Sequence, residues 1–156
     1  FSPGQGMLKR LRRVAAQVTA RLLMASKSDN GATIAAARLL YGPMLRRGAS
    51  IYEYLPCKLH MKLIIIDDAV YIGSANFDMR SLFLNLEVML RIEDAEFAAA
   101  MRAAMDDWVS ASLHITPAVQ ESRKGPFRLL KGWISYFLVG VLDYTVTRRL
   151  NFRNND

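Results

Sequence analysis

A chain of 156 residues with 52% hydrophobic and 22% charged residues can bury one domain core with an appendage, and this balance excludes a disordered chain. The net charge of +7 is unevenly placed: Phe1 to Lys27 carries Lys9, Arg10, Arg12, Arg13, Arg21 and Lys27 without an acid, and Ser122 to Asp156 is again mostly basic. Such flanks suit an anionic lipid surface, nucleic acid or a solvated helix face, while a lone Cys57, read here as a packing residue, excludes an internal disulfide and fits a reducing, cytoplasmic-side location.

In chain order, Met7, Leu8, Leu11, Val14, Ala15 and Val18 mark one face of a basic amphipathic helix. Ala20 to Ser26 reads as a strand. Lys27-Ser28-Asp29-Asn30 is a strand-to-helix loop with an N-cap, and Ala32 to about Arg47 a helix disturbed by Gly42-Pro43 and stopped at Gly48. Ser50 to Leu55 is the next strand. Leu59 to Ile66 is apolar on both faces, which predicts a central strand covered by helices on both sides. Asp67-Asp68 is the turn, Ala69 to Ile72 the return strand, and Gly73-Ser74 a loop bringing Asn76 back beside His60. Arg80 to Asn85 reads as a short helix, Glu87 to Ile92 as a strand, and Asp94 caps a helix from Ala95 to about Ala111. His114, followed by Thr116 and Pro117, is read as a surface residue in a linker. The expected fold is α/β: a layered mixed β-sheet flanked by helices on both faces, with a C-terminal amphipathic helical tail. The expected division is a domain over 1–112 and a basic, aromatic tail over 113–156.

The chemistry concentrates in LHMKLIIIDDAVYIGSANFDMRSLFLNLE. On an extended strand, residues two apart point the same way, so His60 and Lys62 aim an imidazole and an ammonium at one side. A neutral imidazole can attack phosphorus if one nitrogen is free and the other is held by an acceptor. Glu87, eleven residues after Asn76, is the candidate acceptor. Burial would press Lys62 toward its neutral form without an anion, so a phosphate, or a carboxylate in its absence, is the natural counter-charge, and Asn76 adds neutral donors.

In His60-x-Lys62, four residues, Asp67, then Gly73-Ser74-x-Asn76, the chain resembles the phospholipase D superfamily and its HKD motif. GSANFDMRSLFLNLE is similar to the second such motif of bacterial cardiolipin synthases. The five residues between Asp67 and Gly73 are one fewer than the commonest spacing of the family, which leaves the pose of Asn76 less defined than those of His60 and Lys62. The resemblance implies a catalytic half-domain in which Glu87 orients His60, Ser74 binds phosphate, and Asp67 organises the hairpin. It implies no metal or other cofactor. Lys27, Ser28 and Asn30 are candidate headgroup contacts, with capping the alternative.

The superfamily pairs two such motifs, one His as nucleophile and the other as general acid; this chain carries one, and either role is open to His60. The second half would come from an upstream repeat or from a second copy across a two-fold axis. The start at Phe1-Ser2-Pro3-Gly4, as though just after a strand, favours the upstream repeat. The apolar stretch from Phe127 to Leu142 is interrupted by Ser135 and Gly140 and followed by Asp143, too short for a span of about 20 apolar residues. Trp133, Tyr136, Phe137 and Tyr144 beside Arg128, Lys131 and Arg148 fit an interfacial helix; packing on the domain or the missing half is the alternative. The resemblance then implies a phosphatidyltransferase that joins two phosphatidylglycerols into cardiolipin and glycerol through a phospho-histidine, on the cytoplasmic side of the cell inner membrane, peripheral or monotopic. The alternatives are a phospholipase D, a homodimeric nuclease, which would not need the aromatic tail, or a non-catalytic membrane-binding half.

Overall fold

The structure, a computed structural model, describes residues 1, 3–29, 31–123 and 125–138; Asn30, Tyr144 and Arg148 therefore lie outside the described residues. The elements run α1 (Gln5–Ala15), β1 (Arg21–Ala25), α2 (Gly31–Leu45), β2 (Ser50–Tyr54), β3 (Leu63–Ile66), β4 (Ala69–Gly73), α3 (Met79–Phe83), β5 (Met89–Glu93), α4 (Ala95–Ser110), β6 (Ser112–Ile115), α5 (Pro117–Ser122) and α6 (Pro126–Phe137). This is the α/β arrangement expected, but the strands divide into two three-stranded sheets. One has the order β1-β2-β6, with β1 parallel and β6 antiparallel to β2; the other is the antiparallel meander β3-β4-β5.

The connection from β1 through α2 to β2 is a parallel crossover, which needs a helix to return the chain to the same end of the sheet. α2 is apolar on most sides because it is covered on several: it packs on α1, α5, α6 and β2. Its Ala36, Leu40, Tyr41 and Met44 join Leu8, Met24, Ile51, Ile115 and Tyr136 in the main core. The helix ends where Gly48 adopts φ +86°, with Ala49 N–H bonding Met44 O at 3.3 Å and Gly48 N–H bonding Leu45 O at 3.0 Å. That is the Schellman geometry, which only glycine enters without steric cost. α4, capped by Asp94 Oδ1 accepting from Phe97 N–H at 2.9 Å, touches strands of both sheets and so joins them.

Three expectations are corrected here. β3 is an edge strand, not a central covered one; Ile66 is 55% exposed, and the regular strand starts only at Leu63. A continuous apolar run does not reveal how many faces are covered. His114 is not in a linker: it lies on β6, opposite Tyr52 on β2, and their rings stack at 4.8 Å, so Leu113 to Ile115 belong to the first sheet. Cys57 is exposed and packs in no core.

Candidate active site

In an antiparallel meander, the start of the first strand, the end of the second and the start of the third meet at one edge. The motif residues come from those three places. Lys62 O accepts from Gly73 N–H at 3.3 Å, extending the β3-β4 pairing, and Val88 O accepts from Ser74 N–H at 2.9 Å, extending the β4-β5 pairing. Gly73 permits this close approach: a Cβ there would lie 2.0 Å from Val88 O and 2.9 Å from Met89 Cα. Neither backbone atom can give way without breaking the ladder. Gly73→Ala is accordingly expected to cost about 1–3 kcal/mol, read as a lower thermal midpoint; an unchanged midpoint would contradict this packing.

His60 and Lys62 precede β3 in an extended segment, with His60 exposed and Lys62 half-buried. Lys62 Nζ lies 2.8 Å from His60 Nε2 and donates to His60 O at 2.9 Å. An ammonium has only donors, so in a hydrogen bond from Lys62 the acceptor is the lone pair of Nε2. The nitrogen that faces the cation is therefore the one able to attack an electrophile or accept a proton.

Glu87 sits at the same edge. Its Oε2 accepts from Ser74 Oγ at 2.5 Å and its Oε1 from Asn85 Nδ2 at 3.2 Å, while Ser74 Oγ itself accepts from Val88 N–H at 3.1 Å. The hydrogen bonds from Ser74, Asn85 and Ser81, with a smaller contribution from the Lys62 charge, hold the Glu87 carboxyl below its ordinary range. Ser74 thus spends its proton on Glu87, and Glu87 is engaged by Ser74 and Asn85 while His60 is engaged by Lys62. Both pairs share one end of the sheet, linked through the Lys62 charge.

Asn76 is exposed in the loop that follows; its carbonyl accepts from Asp78 N–H at 2.9 Å, and Asp78 caps α3 by accepting from Ser81 N–H at 2.9 Å. The next residue, Phe77, stacks on Phe1 with ring centroids 6.0 Å apart. Asp67 lies at the other end of the β3-β4 hairpin, in the left-handed region at φ +47°, its carbonyl accepting from Arg102. Aspartate tolerates that conformation better than most residues. Four strand residues separate it from Lys62, on the order of 16 Å.

The loop after β1 is tied to the segment leading into His60. Lys27 Nζ donates to Pro56 O at 3.5 Å, Ser26 Oγ donates to Tyr54 O, and Lys58 pairs with Asp29. Lys27 and Ser28 thus sit in a loop stapled next to the segment that carries His60, with Lys27 exposed.

One polar cluster escaped the sequence reading. Glu53, 1% exposed, accepts from Arg38 Nε and Nη2, each at 2.8 Å, and from Arg123 Nη1 at 3.1 Å. Burial alone would raise the Glu53 carboxyl, but the Arg38 and Arg123 hydrogen bonds and charges outweigh it and the net direction is down. Tyr41 beside it is pushed upward by burial and the Glu53 charge. The sequence does hold a signal: Glu53 shares the inward parity of Ile51, and an acid at core parity needs a buried cation.

A family model described as cardiolipin synthase, PLD-like domain matches residues 1–108. Cardiolipin synthase A of Pseudomonas aeruginosa (strain LESB58) is 36% identical over 131 residues, covering 83% of this chain and 26% of that protein. The minor cardiolipin synthase ClsB of Bacillus subtilis (strain 168) is 37% identical over 125 residues, covering 78% of this chain and 31% of the relative. Among solved structures, NucT from Helicobacter pylori aligns over 71% of this chain and 92% of its own, with 15% identity and a TM-score of 0.39. The family model and the sequence relatives place the molecule in the phospholipase D-like class. More narrowly, the chain belongs to the family of cardiolipin synthase PLD-like domains. It spans about a quarter to a third of the length of the curated relatives it matches.

Proposed function

We propose that this chain is one catalytic half of a phosphatidyltransferase of the cardiolipin synthase type, acting on phosphatidylglycerol with His60, Lys62 and Asn76 around the phosphate. The observation that carries the reading is the 2.8 Å contact of Lys62 Nζ with His60 Nε2 at an open sheet edge, in a chain of this family. A phosphodiester entering beside Nε2 would draw the Lys62 ammonium onto its oxygens and release the imidazole lone pair. One histidine of the complete enzyme attacks phosphorus, the bond from phosphorus to the glycerol oxygen breaks, and the leaving oxygen takes a proton from the other. The hydroxyl of a second phosphatidylglycerol then attacks the phospho-histidine, returning a proton and freeing the imidazole. His60 serves in either of the two roles. Lys62 and Asn76 stabilise the five-coordinate phosphorus. Glu87, fixed by Ser74 and Asn85, acts on the field at Lys62 and orients His60 when Lys62 moves onto the phosphate; Asp67 keeps the hairpin, and Lys27, Ser28 and Asn30 meet the headgroup.

Met61, Phe83, Leu86 and Val88 leave an exposed apolar rim on and around the segments that carry the site. A rim of that kind supports a second half docking here, supplied upstream or by another copy. The test of the chemistry is the product. Full-length enzyme incubated with phosphatidylglycerol vesicles is expected to release glycerol and form cardiolipin, seen by mass spectrometry; phosphatidic acid in its place would establish the hydrolase.

Membrane association at the cytoplasmic side of the inner membrane is the second part of the proposal, and α6 supports it. Gly132, Ser135 and Tyr136 face inward, with Gly132 lying against α2, whereas Phe127 is 86% exposed, with Leu130 and Trp133 also in solvent. A helix that docks by Gly132, Ser135 and Tyr136 and turns Phe127 and Trp133 outward suits a headgroup boundary. No described helix is long and apolar enough to cross a membrane. Deleting residues from 113 onward would remove β6 from its sheet, so point changes are the cleaner probe. Phe127→Ser with Trp133→Ser is expected to weaken sedimentation with anionic vesicles by about tenfold or more, given the apolar area withdrawn; equal binding would discard the interfacial helix.

A further inference from the structure

α1 carries cations that pair with no acid among the described residues. Between α1 and Arg47, just past α2, lies an open groove of about 540 Å³ lined by Lys9, Arg12, Arg13 and Arg47 with Gln5 and Gln17. Among the described residues no carboxylate lines it. The Arg12 Nε is buried, with no hydrogen-bond partner among the described residues. That nitrogen is shielded from the groove itself, but the four cations of the groove face no carboxylate among its described lining residues, so the groove is short of acceptor oxygens. Its Gln5 end abuts α6: Gln5 Nε2 reaches Tyr136 Oη at 3.4 Å, and the Tyr136 ring meets Trp133 edge-on at 6.4 Å. The charged groove thereby meets the inner side of α6 at Tyr136, next to the exposed Trp133.

We propose that this groove binds the phosphate of an anionic phospholipid as an anchoring site separate from the His60 pocket, holding the domain to the bilayer while α6 enters the headgroup boundary. It rests on the reading of α6 given above. A phosphodiester offers two unesterified oxygens and one negative charge, which an arginine fork meets with paired hydrogen bonds. The adjoining aromatic helix selects a phosphate presented at an apolar boundary over one on a nucleic acid.

The test compares full-length protein with Arg12→Gln/Arg13→Gln on phosphatidylcholine vesicles made with and without phosphatidylglycerol. Affinity for the anionic vesicles is expected to fall about tenfold with the thermal midpoint unchanged. Should Arg12 prove necessary for folding, Lys9→Gln/Arg47→Gln is expected to give the same loss. Arg10→Gln/Arg46→Gln, an equal charge change off the groove, is expected to retain most of the binding. The proposal is overturned if the groove variants bind like the parent, a result that leaves the α6 reading standing if Phe127→Ser/Trp133→Ser is weakened. It is overturned as well if the off-groove pair loses as much, or if the groove variants lose a DNA oligonucleotide but keep the vesicles. Loss by the groove variants with full binding by the α6 pair supports the groove and removes the helix from the account.

Discussion

His60→Ala in the full-length enzyme is expected to lower the rate of phosphatidyl transfer by about 10³-fold or more, with little change in stability. Removing a proton-transfer group costs typically 10²–10⁴-fold, and removing a nucleophile costs at least as much. The fold should tolerate the change because His60 is exposed and precedes β3 in an extended segment. Surface substitutions of that kind stay within about 0.5 kcal/mol. Lys62→Met separates two roles of the cation. If Lys62 stabilises the phosphorus centre, the rate constant falls roughly 10²–10³-fold with a smaller effect on substrate affinity; a change confined to affinity would mean that Lys62 only attracts the headgroup. Steady-state kinetics on phosphatidylglycerol, alongside thermal denaturation, reads both variants.

Glu53→Gln is expected to have the largest effect on stability, a loss of about 3–5 kcal/mol in urea unfolding. The carboxylate is buried between Arg38 and Arg123, which come from α2 and from the residue after α5. Neutralising it leaves two guanidinium groups without their counter-charge and removes the tie between β2, α2 and the segment past α5. The pH dependence carries a definite sign. The folded carboxyl titrates below its unfolded value, so the stabilisation is fully present above about pH 4.5 and is lost as pH falls through the folded pKa. The parent should therefore lose stability on acidification in that range, while Glu53→Gln should show a shallower acid dependence. A variant within about 0.5 kcal/mol of the parent at neutral pH would refute the network.

Which parts of this were legible in the sequence follows from the range over which each signal acts. Local punctuation was readable: Gly48 ends α2 in a left-handed turn, Asp94 caps α4, and Asp67-Asp68 closes a hairpin, all settled within a few residues. Motif spacing also predicted the β3-β4 hairpin, because turn length decides which strand ends meet. Partner choice was less legible. Spacing brings Glu87 to the edge where His60 lies, but which donor the carboxylate takes depends on side-chain geometry over a few ångströms, and Ser74 and Asn85 hold it. β6 was hidden for a different reason: a strand of four residues is too short for alternation to register, and only pairing with β2 makes them a strand. The division of the strands into two sheets likewise depends on long-range pairing. Arg123 lies 70 residues from Glu53, so nothing local announces that ion pair.

The central claim is that this chain supplies His60 to a cardiolipin-forming enzyme. Its most direct test is lipid mass spectrometry of cells lacking their own cardiolipin synthases and expressing either the full-length protein or its His60→Ala variant at equal level. Cardiolipin should accumulate with the parent and be absent with the variant; equal cardiolipin in both strains would contradict the account.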